Sequence, residues 1–287
     1  MKKKYLEQLG YGENDRLIMI NSDDFGVTHS SNVGTIKAFE EGFITSASLL
    51  IAAPWASEAL DWWSTHRQYS IGVEVALNSE WLSYRWGPMA SRDKVPSLLD
   101  PDGFFWGDTD LVVKHAKVEE AELEIRTQLD YVISRGFDPS HCLNHMFSLS
   151  FRPDLFEMFV RVLQHYKLPT RSPKLQEHPG WPSVDGHVGF ELYYMSMDNG
   201  KESRFYKILQ NLKPGLWEFY PHCAIDCAES RAAFGLSHPC PGDPNSWVGR
   251  HSDVELYTLG RARKFLDGQG FRLVTYRQLR DAIRKHY

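Results

Sequence analysis

The chain has 287 residues, of which 42 % are hydrophobic and 24 % charged, with a formal net charge of −5 at pH 7; this is an ordinary globular composition. The acidic balance and the lack of a long Lys/Arg run give no surface for tracking nucleic acid, and no apolar stretch approaches a membrane span. The N-terminus lacks the apolar core of a signal peptide, and none of the 4 cysteines, Cys142, Cys223, Cys227 and Cys240, forms a Cys-x-x-Cys pair. A cytoplasmic protein with reduced thiols is therefore expected, Cys223 and Cys227 being the two to check for metal or redox behaviour.

Taken in order, Leu17-Ile18-Met19-Ile20 is a short continuous apolar run, which suits a parallel strand covered on both faces. It ends in Asn21-Ser22-Asp23-Asp24-Phe25-Gly26. Ser30-Ser31-Asn32 supplies N-cap chemistry for a helix through Val33, Ile36, Ala38 and Phe39, stopped by Gly42. Residues 46–52 read as a second strand, Pro54 opens a helix through Ala56, Ala59, Leu60 and Trp63, and 71–77 read as a third strand. A long loop rich in aromatics follows over 78–110. The spacing predicts one helix over 112–135, ended by Gly136, and a strand around Cys142-Leu143 leading to His145. A helix over 155–166, a short strand over 168–171, a helix over 205–212 and a strand over 215–220 come next. Helix 254–266, strand 271–275 and helix 276–285 complete the chain. Residues 172–199 are rich in Pro and Gly and stay unassigned. Sustained strand–helix alternation with about seven strands predicts a parallel sheet with right-handed crossovers. The expected fold is a single α/β domain over 1–287, a distorted or incomplete TIM-like (β/α) barrel.

Polar residues recur at one level of this barrel. Asp23 and Asp24 follow the first strand, Glu74 lies near the end of the third, and His141 and His145 flank the strand after the long helix. Arg171 and His222 follow later strands. In a parallel barrel these carboxyl ends converge on one mouth. Neighbouring carboxylates push their pKa values apart, so one can hold a cation while the other handles protons. Carboxylate plus imidazole is a normal ligand set for a divalent ion.

Several motifs in the right order resemble the YdjC-like carbohydrate deacetylases, a family that includes chitooligosaccharide deacetylases. Asp23-Asp24-Phe25-Gly26 is similar to its D-D-F-G turn, and Ile44-Thr45-Ser46-Ala47-Ser48-Leu49 to its V-T-S-x-S-L/M strand. Gly72-Val73-Glu74-Val75-Ala76-Leu77 is similar to G-x-H-x-x-L-T, His141-Cys142-Leu143-Asn144-His145 sits where the family has H-x-D-S-H, and 214–222 fits its late strand with a catalytic His. Tyr84-Arg85-Trp86-Gly87-Pro88 fits one branch. The resemblance implies a distorted barrel binding one divalent metal ion through Asp24 and His145, with Asp23 as general base and His222 as acid or transition-state stabiliser, hydrolysing the N-acetyl group of an amino sugar or oligosaccharide. Two positions depart from the pattern. Glu74 stands at the family's ligand His, and Leu143 at its Asp. Glu can ligate through oxygen, so Asp24, Glu74 and His145 form the expected site, harder and more anionic and so suited to Mg or Mn over Zn. Trp81, Tyr84 and Trp86 suit stacking on sugar rings with Arg85 as a polar clamp, loop packing being an equal alternative for them; Arg171 is also expected to contact substrate. A small carbohydrate is the expected partner, with no nucleic acid or membrane, and a homodimer is left open. The competing expectation is a non-catalytic carbohydrate-binding barrel with a degenerate metal site.

Overall fold

The computed structural model describes residues 4–81, 84–171, 184–235 and 246–286. Its strands are β1 (Arg16–Phe25), β2 (Ser46–Leu50), β3 (Ser70–Val75), β4 (Cys142–Asn144), β5 (Gly186–Val188), β6 (Gly215–Phe219) and β7 (Phe271–Leu273). The helices are α1 (Lys4–Gln8), α2 (His29–Glu40), α3 (Ala56–Thr65), α4 (Thr109–His115), α5 (Val118–Ser134), α6 (Pro153–Tyr166), α7 (Phe190–Tyr193), α8 (Lys201–Asn211), α9 (Ala228–Gly235), α10 (Ser246–Thr258), α11 (Gly260–Gly268) and α12 (Tyr276–His286).

Every strand pair is parallel. The strand order is β4-β3-β2-β1-β6-β5, with β7 pairing the start of β1. The sheet curls into an incomplete (β/α) barrel, as the strand–helix alternation predicts. Side chains alternate across it with period two. On β1, Ile18 and Ile20 pack outward with the helices. Leu17 and Met19 face the interior, where Leu143 of β4 and Leu216 of β6 join them over residues of α1 and α12. The same parity carries Asn21 and Asp23, Ser48 of β2, Glu74 of β3 and Glu218 of β6 to the interior, above this apolar floor.

Local differences from the sequence reading have local causes. The N-cap of α2 is Thr28, whose hydroxyl accepts from Ser31 N, so Ser30-Ser31-Asn32 lie inside the helix. Residues 168–171 form no strand. They run beside β4, and Pro169, which has no N–H to donate, offers its carbonyl to Cys142 N at 3.0 Å. The long helix expected over 112–135 divides at Ala116, where the backbone is extended (φ −61, ψ 128), and the one over 254–266 divides at Leu259 before Gly260. In the unassigned stretch, β5 and α7 are formed; residues 172–183 lie outside the described residues, as does Cys240. Cys142, Cys223 and Cys227 are free thiols.

The loop after β3 is tied down by α5. Glu124 of α5 is buried and accepts from Met89 N and Ala90 N at 3.0 and 2.9 Å, and Gln128 bonds Ala76 N and O. The aromatics expected to meet sugar are turned inward. Trp81 and Trp86 are 1 % and 3 % exposed. Trp81 packs on Phe234, and the Trp86 indole donates to Asn78 O at 3.1 Å. Arg85 bonds Asp100 at 2.8 Å. Burial of these rings leaves no face for a ligand, and loop packing accounts for them.

Candidate functional site

Two consecutive residues of a regular strand face opposite ways. At the end of β1 this rule is broken. The register between β1 and β2 shifts between Ser22 and Phe25, and Asp24 takes a left-handed backbone (φ 63), a conformation that Asp adopts more readily than most residues. This bulge turns both Asp23 and Asp24 into one pocket, as bulges do where a side chain must be re-aimed. The pocket, of about 110 Å³, is also lined by Glu74, Glu80, His145, Arg171, His222 and Arg250.

Asp24, Glu74 and His145 converge. Their candidate ligand atoms all lie within 4.8 Å of one another, and all three residues are buried. His145 Nδ1 is 2.9 Å from Glu74 Oε1 and 3.5 Å from Asp24 Oδ1. Glu74 Oε2 accepts from the Ser48 hydroxyl at 2.7 Å. Asp24 Oδ2 accepts from Arg250 at 2.7 Å, while its Oδ1 is buried without a hydrogen-bond partner. Such an orphaned carboxylate oxygen beside a second carboxylate and an imidazole nitrogen fits a divalent cation.

The other face of His145 meets a residue the sequence reading passed over as a site residue. Both oxygens of Glu80 lie 3.0 Å from Nε2. A carboxylate on the far nitrogen fixes which nitrogen keeps its proton and leaves the near one for a ligand role. Burial opposes charge on His145, but Glu80 and Glu74 outweigh it and hold the imidazole well above its ordinary pKa. Burial, then Asp23, pushes Glu74 up. Asp24 goes the other way: burial disfavours its charge, yet Arg250, His222 and His145 together hold it well below the usual carboxylate range.

Asp23 is gripped from the opposite side. Arg171 donates to both its oxygens at 2.7 and 2.8 Å and to Glu218 at 2.8 Å, and Asn21 donates to Oδ1 at 2.8 Å. Tyr276 completes this layer by donating to Glu218 at 2.6 Å. Arg171, expected on substrate, thus meets two carboxylates of its own chain. His222 lies just beyond β6; burial lowers its pKa, with Arg250 adding to the effect against Asp24. Its backbone N–H donates to Asp253 at 2.9 Å, and Asp253 in turn pairs with the buried Lys201 at 2.6 Å. Arg250 is 2 % exposed, lies 4.2 Å from the Phe234 ring centroid, and bonds the Tyr193 hydroxyl at 3.1 Å. His141 lies below the pocket, stacked on Tyr276 at 3.9 Å. It reaches this position because Gly72 has no side chain, a Cβ there standing 2.4 Å from His141 Nδ1. Leu143 belongs to the apolar floor, so the departure from Asp there adds to packing.

Among these residues, Glu80, Glu218 and Arg250 were not singled out from the sequence. Glu80 carries the one usable signal, an acid six residues after Glu74 and just past the third strand.

The profile of the YdjC-like protein family matches residues 17–267. A carbohydrate deacetylase of Thermus thermophilus is 28 % identical over 97 % of this chain and 98 % of its own length. One from Brevibacillus brevis is 26 % identical over 91 % and 99 %. A solved structure from Enterococcus faecalis, described as a proposed cellobiose-phosphate cleavage protein, superposes with a TM-score of 0.79 at 22 % identity, covering 92 % of this chain and 99 % of that one.

Proposed function

This chain belongs to the YdjC-like protein family, and from that membership and the pocket's geometry we propose that it is a metal-dependent deacetylase of N-acetylated amino sugars or short oligosaccharides. The observation that carries the reading is the β1 bulge, which brings two adjacent carboxylates into one pocket with Glu74 and His145. The curated relatives are named carbohydrate deacetylases, which supports the reaction class.

Asp24, Glu74 and His145 would hold one divalent ion, Mg, Mn or Zn. Once bound, it would supply Lewis acidity for the amide carbonyl and an acidified water. The chain's own residues do the rest. Glu80 keeps the proton on His145 Nε2, and a bound ion would take the place of the Nδ1 proton that now lies between His145 and Glu74. Arg171 and Asn21 orient Asp23, which accepts the proton of the attacking water as general base. His222, which burial keeps neutral, passes the proton taken from water on to the leaving amine as general acid, so one water is consumed and acetate and the amine are released. No helix of the described residues is long and apolar enough to cross a membrane, and the reading includes a cytoplasmic location.

Replacing one acid/base group costs about 10²–10⁴ in rate. Asp23→Asn and His222→Ala are each expected to lower turnover by that order while metal affinity, measured by calorimetry, stays near wild type. The assay is acetate release from a panel of N-acetylated saccharides with Mg, Mn, Zn, Co or Ni. No release from any pairing, together with gain of release by Glu74→His, would replace this reading by the carbohydrate-binding barrel.

A further inference from the structure

The pocket has an aromatic lip that the mechanism does not use. Phe190 and Tyr194 line it, yet they are 66 % and 42 % exposed, two of the few large apolar side chains that face solvent among the described residues. Phe190 opens α7 and Tyr194 is its C-cap, four residues on, the spacing that sets side chains on one face of a helical turn.

Their exposure is imposed by how α7 is seated. A Cβ on Gly189 would lie 1.9 Å from Cζ of Tyr220, and one on Gly249 would lie 2.1 Å from the Tyr193 carbonyl oxygen. Both ends of the segment therefore sit closer to their neighbours than a Cβ would allow without a shift, at Gly249 against backbone. Inside the segment, Leu192 is 3 % exposed, and the Tyr193 hydroxyl accepts from Arg250. With Leu192 and Tyr193 committed inward, Phe190 and Tyr194 are held outward at the mouth.

We propose that Phe190 and Tyr194 form a saccharide platform, stacking on the C–H faces of pyranose rings next to the ring whose acetamido group enters the pocket. This rests on the deacetylase reading and deepens it to a preference for oligosaccharides over single sugars. The electron-rich face of an aromatic ring attracts the positive C–H edges of a sugar face, and since Asp24, Glu74 and His145 are buried while Phe190 and Tyr194 are exposed at the same pocket's mouth, rings next to the reacting one meet the lip.

The test compares N-acetylglucosamine, triacetylchitotriose and cellotriose on the metal-loaded full chain. Phe190→Ala and Tyr194→Ala are each expected to raise KM for triacetylchitotriose and Kd for cellotriose by roughly three- to tenfold, leaving kcat and the monosaccharide kcat/KM unchanged, with Phe190→Trp restoring wild-type values. Equal losses on mono- and trisaccharide, unchanged trisaccharide binding in both alanine variants, or no trisaccharide binding by the wild type would each overturn the platform. Platform-dependent binding of both trisaccharides with no acetate release would sink the deacetylase reading and leave the platform standing.

Discussion

Asp24 shows how much one residue can be asked to do. Its backbone is left-handed, one carboxylate oxygen is committed to Arg250, and the other is unpartnered within reach of His145. A ligand that binds the folded state alone stabilises it by about 2.7 kcal/mol at a hundredfold excess over Kd. Saturating Mn or Zn is therefore expected to raise the wild-type Tm by several degrees and that of Asp24→Asn by none, Asn being chosen because it also tolerates the left-handed backbone; equal shifts in a thermal melt would show that the ion binds elsewhere. Histidines outside the ligand set contribute to acid instability. Burial, aided by Arg171, lowers the His187 pKa to about 4, and burial with Arg171 and Arg280 holds His141 well below its ordinary value. An unfolded chain takes up these protons near pH 6.5 while the folded one refuses them, so stability is lost as pH falls from about 6.5 towards 4. After allowance for the solvent that reaches the ring, His187 contributes about 1–2 kcal/mol of this loss. Tm measured against pH should fall less steeply across that window in His187→Gln; an unchanged slope would remove His187 as a cause.

Among the elements, β1 and α5 set the site's geometry from opposite directions. β1 begins as a regular apolar strand and ends in a bulge, so one strand supplies both floor and chemistry. α5 acts at a distance. Its buried Glu124 is raised in pKa by burial, against the bonds it receives from Gln128, Met89 and Ala90, and it holds the loop that starts with Glu80. Glu124→Leu leaves two backbone N–H groups without acceptors, at about 1–3 kcal/mol each where they stay buried. The expected outcome is faster protease cleavage within 84–108 and weaker metal binding through Glu80 and His145. Wild-type cleavage kinetics in the variant would show the loop to be held by its own contacts.

For the molecule as a whole, the larger of two cores among the described residues runs from Ile18 to Ile283, and the reading of 1–287 as a single domain predicts that limited proteolysis cuts only within 78–110 or 172–199. Early release of two stably folded halves would contradict it. The strand–helix alternation, the parallel sheet and the placing of Asp23, Asp24, Glu74, His145 and His222 near strand ends were legible from residue order, because periodicity and turn chemistry act over a few residues. The break of α4 from α5 at Ala116 and the loss of the strand at Pro169 were not, since each depends on what the segment packs against. The fate of the aromatics was likewise hidden: Trp81 and Trp86 carry the same composition signal as Phe190 and Tyr194, but contacts with Phe234 and Asn78 bury the first pair, while the glycine-seated α7 exposes the second. The partners Arg250 for Asp24, Arg171 for Asp23 and Glu80 for His145 also belong to tertiary structure. Residue order determined which groups could ligate and titrate. Which pairs meet, and so which charges are held and which oxygen is left for an ion, was decided only when the sheet curled and brought residues 226 and 148 positions apart within 2.7 Å.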